Sequence, residues 1–251
     1  ICKLLIQAGA AGALILASTP ALADREERDA LTAYVRARVA GSTGISNEAA
    51  RGYAAALALA PGNEALAAGA FVEALEAGNR VLALNAAQAL ERAGEVNTDV
   101  RLMLLTEALR RKDWKRASAH IDAIGEDEVF VFMAPLLRAW VSVGSDKGDP
   151  LRILADASSP EAGDPRRAAE AVTAVYAAEH RPLLLMATGR REAGAEELLK
   201  FAGTDDLRDQ RLRIAGAALL ARKGDRKEAL ELVQGDEPAF ARARALIEAR
   251  R

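Results

Sequence analysis

The sequence predicts an all-α protein, a solenoid of stacked helix pairs. Two sets of residues that recur at a fixed spacing carry that prediction. Small residues recur every 34 positions, at Ala49, Ala83 and Ala117. Five positions before each of them lies the centre of a turn, at Gly44, Gly78 and Lys112. A fixed period of about 34 residues is typical of solenoids in which each repeat is one helix–turn–helix unit.

Each of these two recurring positions has a physical reason. The small residue lies where the two helices of a repeat cross, and a leucine there would force them apart. The turn glycine ends the first helix because glycine adopts left-handed backbone angles at little cost. The same spacing returns near the C-terminus, where Ala229 follows Gly224 by five residues. The repeat therefore extends over most of the chain.

Composition agrees with a helical protein. Aromatic residues make up only 4% of the chain, and segments such as 64–78 and 211–224 have apolar residues on a helical period. The best strand candidate is 128–133, which is β-branched and aromatic. It runs directly into an apolar helical pattern, so we interpret it as the start of a helix.

Residues 30–63 resemble a tetratricopeptide repeat at six positions in register, namely Ala37, Gly44, Ala49, Tyr53, Ala56 and Pro61. Residues 64–97 keep Gly78, Asn79 and Ala83. Residues 98–131 have Lys112 in place of the turn glycine and keep Ala108, Asp113, Trp114 and Ala117. Two later units resemble the family through Gly189 and Gly194, and through Ala217, Gly224, Asp225 and Ala229.

The resemblance implies a right-handed α-solenoid, a superhelix of about five to six antiparallel helix pairs. Residues 1–23 are then a secretory signal peptide, and residues 24–131 form repeats one to three. Residues 132–174 are a degenerate region with helices at about 130–143 and 149–157. Residues 175–251 hold the C-terminal repeats and a capping helix with Pro238 in its first turn.

In tetratricopeptide proteins the first helices of successive repeats line a concave groove. Matching the register implies eight groove residues here: Tyr34, Arg38, Val72, Leu75, Leu102, Thr106, Leu109 and Arg138. Such a groove is apolar with arginine at its edges, and it suits an amphipathic helix or an extended peptide. The alternative is that the leucines face the next repeat. The family's lysine–asparagine clamp for a peptide carboxylate has no counterpart at the matching positions, which disfavours a chaperone-tail role.

The first 23 residues predict export. Residues 4–17 are an almost unbroken apolar run after Lys3, and Ala-Leu-Ala at 21–23 is a small-residue cleavage site. The run is short for a membrane span, which needs about 20 apolar residues, and an uncleaved anchor is the alternative. Abundant alanine and an excess of arginine over lysine are typical of a GC-rich bacterial genome. We therefore expect a periplasmic protein without a stable membrane span after cleavage.

No residue pattern predicts catalysis, a cofactor or a metal site. His120 and His180 are the only histidines, and no nucleophile motif accompanies them. Cys2 is the only cysteine and lies in the leader, so the mature chain has no disulfide or thiolate ligand. The two Gly-Asp-Pro segments lack the lysine and hydroxyl residue of a phosphate loop. They predict helix starts capped by Asp149 and Asp164.

Net charge disfavours nucleic acid as a partner. Without Lys3 the 34 basic residues fall to 33, against 36 acidic residues, which gives a net charge of −3. The resulting prediction is a non-catalytic scaffold or assembly factor of the bacterial periplasm that binds a protein or peptide in its groove. The alternatives are a non-catalytic superhelical part of a cell-wall lytic enzyme, or its partner, and a membrane-anchored structural protein.

We expect export to remove the leader between Ala23 and Asp24, because the small residues that end the leader fit signal peptidase. N-terminal sequencing of protein from a periplasmic fraction should begin at Asp24. Recovery of the intact chain in the membrane fraction would contradict this prediction and favour the anchor.

Overall fold

The computed structural model describes residues 20–157, 167–200 and 207–249. All regular secondary structure in these ranges is α-helical, and none of it is strand. The prediction of an all-α protein is therefore confirmed. Residues 1–19 of the leader lie outside the described residues, so export stays a prediction.

The chain divides into two compact units after Glu95. The helices of the first unit are α1 (Pro20–Ser42), α2 (Ser46–Leu59), α3 (Glu64–Glu76) and α4 (Arg80–Ala93). Short turns join them, and each helix packs against the next one along the chain. Two successive helix pairs therefore build this unit, as the period predicts.

The second unit begins with α5 (Thr98–Arg111), α6 (Trp114–Ile124), α7 (Met133–Ser145), α8 (Pro150–Ala157) and α9 (Arg167–Ala187). It continues with α10 (Arg191–Leu199), α11 (Leu207–Lys223), α12 (Arg226–Leu232) and α13 (Pro238–Ala249). Helices pack in consecutive pairs, and α9 also contacts α7 and α11. The first helices of neighbouring pairs thus touch one another, which is the packing expected when helix pairs stack.

The turns inside the pairs share one backbone conformation. Positive φ angles of 74°, 65°, 56° and 55° occur at four positions 34 residues apart, namely Gly44, Gly78, Lys112 and Asp146. The turns at Gly189 and Gly224 are also left-handed, with φ angles of 93° and 92°. The sequence predicted five of these six turns. Asp146 shows that the period continues into residues 132–174, where the residue pattern departs from it.

Backbone hydrogen bonds of the turns repeat with the same period. The N–H groups of Ile45, Asn79 and Asp113 donate to the carbonyls five residues earlier, at N···O distances of 2.9, 2.7 and 2.9 Å. This is the bond that closes a helix in a Schellman motif. The side chains of Asn79 and Asp113 also accept N–H bonds from the first turn of the next helix. One residue therefore ends the first helix of a pair and caps the second.

The recurring small residues are buried, as their predicted place at the helix crossings requires. Ala49, Ala83, Ala117 and Ala229 are all fully buried. In the pair formed by α9 and α10 the equivalent residue is Gly194, where an added Cβ would lie 2.5 Å from the Pro182 carbonyl oxygen. Helices that approach this closely leave no room for a larger side chain.

The expectation that residues 128–133 begin a helix is wrong for most of that segment. Residues 128–132 form turns, and α7 begins at Met133. The Asp127 carboxylate accepts N–H bonds from Val129 and Phe130 and a hydroxyl bond of 2.5 Å from Thr98. The Thr98 bond, followed by the two backbone bonds, lowers the pKa of Asp127. These local bonds hold a turn where apolar periodicity alone predicts a helix.

The other helix starts agree with the sequence. Asp149 accepts N–H bonds from Leu151 and Arg152 at the start of α8, which corresponds to the helix expected at 149–157. The cap expected at Asp164 lies outside the described residues. Pro238 opens α13, whose Phe240 ring is fully buried in a core with Leu220 and Leu232. The capping helix is therefore anchored to the pair formed by α11 and α12.

A side-chain hydrogen bond links α7 to α9. The indole N–H of Trp140 donates to Nδ1 of His180 at 2.9 Å, and the two rings meet edge to face. Nδ1 must be unprotonated to accept this bond, so the proton of the neutral ring lies on Nε2. Burial lowers the pKa of His180. The helix continues past this residue through Pro182, which lies inside α9.

We expect Ala117→Leu to destabilise the protein by about 1–3 kcal/mol, because the added side chain overpacks the crossing of α5 and α6. Ala119→Leu on the same helix is the matched control, since Ala119 is exposed, and it should change stability by no more than about 0.5 kcal/mol. Urea denaturation of both variants measures the difference. Equal stability of the two variants would contradict the assignment of Ala117 to a helix crossing.

We expect the free energy of unfolding to fall as the pH drops below the ordinary His pKa of 6.5. The unfolded chain binds a proton at His180 more readily than the folded chain, because burial lowers the folded pKa. Urea denaturation between pH 7.5 and 5, as approximate limits, should show this loss in the wild type. His180→Gln, which keeps an acceptor for Trp140, should show less of it. An identical pH dependence in both proteins would contradict the role of His180.

Candidate functional site

The eight predicted groove residues are divided between the two units, and each set is described within its own unit. In the first unit Val72 and Leu75 on α3 are 53% and 50% exposed. Arg38 on α1 is exposed as well. Tyr34 is half-buried, and its ring meets the ring of Tyr53 edge to face at 6.0 Å between centroids. The predicted groove residues of the first unit are therefore accessible, although Tyr34 is so only in part.

Leu31 lies on the same helix as Tyr34 and Arg38, and the repeat register did not indicate it. Leu31 is exposed and lines a pocket of about 590 Å³ with Tyr34, Leu59 and Leu66. Its position three residues before Tyr34 on the same helix is the signal that could have found it. The charged residues that line this pocket are Glu26 and Glu27. The pocket therefore joins apolar walls to a carboxylate rim.

In the second unit the predicted residues differ in exposure. Leu102 and Leu109 are partly buried and pack against the core of Leu105, Ala108, Ala117 and Ile121. Thr106 is exposed, and its hydroxyl donates to the Leu102 carbonyl. Leu75 and Leu109 are 34 residues apart and equivalent in register. Their environments nevertheless differ, since Leu109 contributes to a core and Leu75 is half exposed.

Arg138 lies at the rim of a second pocket. Its guanidinium donates to Asp122 at 2.9 Å. The pocket has a volume of about 470 Å³ and is also lined by Phe132, Glu170 and Thr173. Arg138 is exposed, but its charge is already paired within the unit. A partner that binds Arg138 through a carboxylate would have to compete with Asp122.

Two arginines at the end of α5 share a buried carboxylate, which the sequence pattern did not indicate. The Glu107 side chain is almost fully buried and accepts bonds from Arg110 at 2.8 Å and Arg111 at 2.5 Å. The hydrogen bond and the charge of Glu107 raise the pKa of Arg110. Both arginines bind the same carboxylate, which belongs to their own helix, so this network is structural. It partly neutralises the positive charge at the end of α5.

The described residues contain no group of three histidine, cysteine or acidic side chains placed to hold a metal ion. Within the same residues, no helix has the length and apolar composition that a membrane crossing requires. His120 is buried on α6, and His180 is bonded to Trp140.

Comparison with known proteins does not assign the chain to a family. No protein-family model matches it, and no curated protein matches it either. The resemblance to tetratricopeptide repeats therefore rests on the residues quoted above and stays a prediction. The observation that bears on function is the exposed apolar surface of the first unit.

Proposed function

We propose that this chain is a non-catalytic protein-binding scaffold of tetratricopeptide-like repeats that acts in the bacterial periplasm. In this proposal the helix pairs form a right-handed superhelix, and the first helices of the pairs line the surface that binds a protein or peptide. The recurrence of left-handed turns at Gly44, Gly78, Lys112 and Asp146 supports a repeat of 34 residues. Repeats of this kind commonly present extended binding surfaces.

The exposure of Val72 and Leu75 carries the proposal. Both residues lie on α3, three positions apart, so they share one face of that helix. Neither is needed for the core, which α3 builds from Leu66, Ala67, Ala70, Phe71 and Ala74. Burying apolar surface contributes about 25 cal/mol per Å², so a partner that covers both side chains gains affinity. Clustered apolar exposure is a typical mark of an interaction surface.

The predicted groove residues of the second unit have a different character. Thr106 and Arg138 are exposed, whereas Leu102 and Leu109 pack within the unit. A ligand that reaches this unit would therefore meet polar side chains and the edges of two leucines. We propose an amphipathic helix or extended peptide whose apolar residues bind the first unit, because the exposed apolar side chains of the predicted set lie there.

We expect the double variant Val72→Glu/Leu75→Glu to lose its partner without losing its fold. Two carboxylates on this face would have to be buried without counter-charges when a partner binds, which is costly. Pull-down from periplasmic extract, with partners identified by mass spectrometry, measures the loss. Val81→Glu is the matched control, since Val81 on α4 is exposed and lies outside the predicted groove. The same partners bound by both variants would contradict the proposal.

Circular dichroism melts separate binding from folding. The double variant should melt within a few degrees of the wild type, because surface substitutions usually change stability by no more than about 0.5 kcal/mol. Leu109→Glu should instead lower the melting temperature clearly, since its side chain packs against a core. A double variant that unfolds like Leu109→Glu would assign Val72 and Leu75 to packing and remove the support for the surface.

A further inference from the structure

The pocket of about 590 Å³ in the first unit combines apolar walls with carboxylates. Glu27, Leu31 and Tyr34 line it from one face of α1, because three or four residues separate each from the next. Leu59 and Leu66 line it from the end of α2 and the start of α3. Leu31 and Leu59 are 59% and 42% exposed, so the apolar wall is open to a ligand.

The carboxylates at the rim of this pocket have no counter-charge. Glu26 and Glu27 are exposed, and neither makes an ion pair with a described residue. The neighbouring Arg25 lies 3.9 Å from Asp29 instead. None of the described residues that line the pocket is basic. A cationic group placed at this rim would therefore meet two carboxylates and no competing positive charge from the pocket wall.

An anionic ligand does not fit the same place. The pocket adjoins the start of α3, and the N-terminus of a helix attracts negative charge. That end already has its own acceptors, since the Asn63 side chain accepts from the Leu66 N–H at 3.0 Å and Glu64 lies in the first turn. Glu26 and Glu27 would repel a further anion. The charges of the pocket therefore select a cation.

The pocket lies next to the surface that carries Val72. Ala65 lines the pocket, and Val72 follows it by seven residues on the same side of α3. Ala68, which lies between them, is exposed. The helical rise places Ala65 and Val72 about 10 Å apart, and about three residues of extended chain span that distance. A peptide that covers Val72 can therefore also reach the pocket.

We propose that this pocket binds a lysine or arginine side chain and an adjacent bulky apolar side chain of the peptide that covers Val72 and Leu75. The inference rests on the proposed function and specifies the chemistry of its ligand. The apolar side chain packs against Leu31, and the cationic group pairs with Glu26 and Glu27 at the rim. A long basic side chain suits this place, because its aliphatic stem packs on apolar surface while its charge stays in water.

The test uses the full chain and two synthetic peptides with the same leucine segment. One peptide has two lysines at one end of that segment, and the other has two glutamines at the same positions. Fluorescence anisotropy at low salt should show the lysine peptide binding about three- to tenfold more tightly, because each exposed charge pair contributes modestly. High salt should reduce the difference. Glu26→Gln/Glu27→Gln should make the two peptides bind equally.

Glu48→Gln/Glu95→Gln is the matched control, because both carboxylates are exposed outside the pocket and the charge change is the same. This control should keep the preference for lysine. Leu31→Ala should weaken binding of both peptides to a similar degree, since it removes part of the apolar wall. Circular dichroism confirms that each variant is folded.

Absence of the lysine preference in the wild type, whether both peptides bind equally or neither binds, would overturn the proposal. An equal loss of preference in the control variant would also overturn it. Hexylammonium that displaces the lysine peptide at a similar concentration would overturn it as well, because the pocket would then take a small cation. The proposed function has a separate readout. If Val72→Glu/Leu75→Glu still loses its partners while the lysine preference is absent, only the assignment of the pocket fails.

Discussion

Close crossing of two helices joined by a very short turn is the constraint on which the rest of this structure depends. The crossing requires a small residue, and the turn requires a left-handed residue five positions earlier, as at Gly78 and Ala83. Neither requirement can shift along the chain without the other, because the hydrogen bonds of the turn fix where the second helix starts. The period of the protein is the repetition of this coupled pair.

The constraint is strong enough to impose an unfavourable conformation on ordinary residues. Lys112 and Asp146 adopt φ angles of 56° and 55°, although a left-handed residue other than glycine costs about 1–2 kcal/mol. At Lys112 the turn is held by the bond from Asp113 N–H to the Ala108 carbonyl. The gain from closing one helix and capping the next offsets the cost. Glycine is therefore preferred in the turn, but it is not required.

Small residues at the crossings also determine which apolar side chains remain outside. On α3 the inner side is built largely from alanine around Phe71, so the close approach of α2 and α4 leaves no place for Val72 and Leu75. The exposed surface of Val72 and Leu75 is therefore a consequence of the packing rule that forms the repeat.

The strongly periodic elements were predictable from the sequence. The turn that the hydrogen bonds of Asp127 hold was not. Helices and turns of residues 30–124 follow the spacing of alanine and glycine, which is a property of residue order alone. The turn at 128–132 was missed because the bonds of Asp127 to Thr98 and to two nearby N–H groups override apolar periodicity. Thr98 lies 29 residues away, so no local pattern could show that contact.

The candidate site was likewise predictable from the sequence only in part. The register identified accessible residues on α1 and α3, but it treated Leu75 and Leu109 as equivalent, although Leu109 packs in a core. The burial of Glu107, which pairs with Arg110 and Arg111, was also not indicated by the order of residues along α5. The core against which Leu109 packs includes residues of α6 and α7, and spacing along one helix does not specify them.

By itself, the sequence determined the helical class, the period and the position of each small residue, because these follow from backbone sterics and from spacing along the chain. Only the tertiary structure decided that Asp146 continues the period, that Trp140 binds His180, and which apolar residues stay exposed. Those features depend on which helix covers which face. Burial is a property of neighbours in space, and the chain specifies it only after the helices have packed.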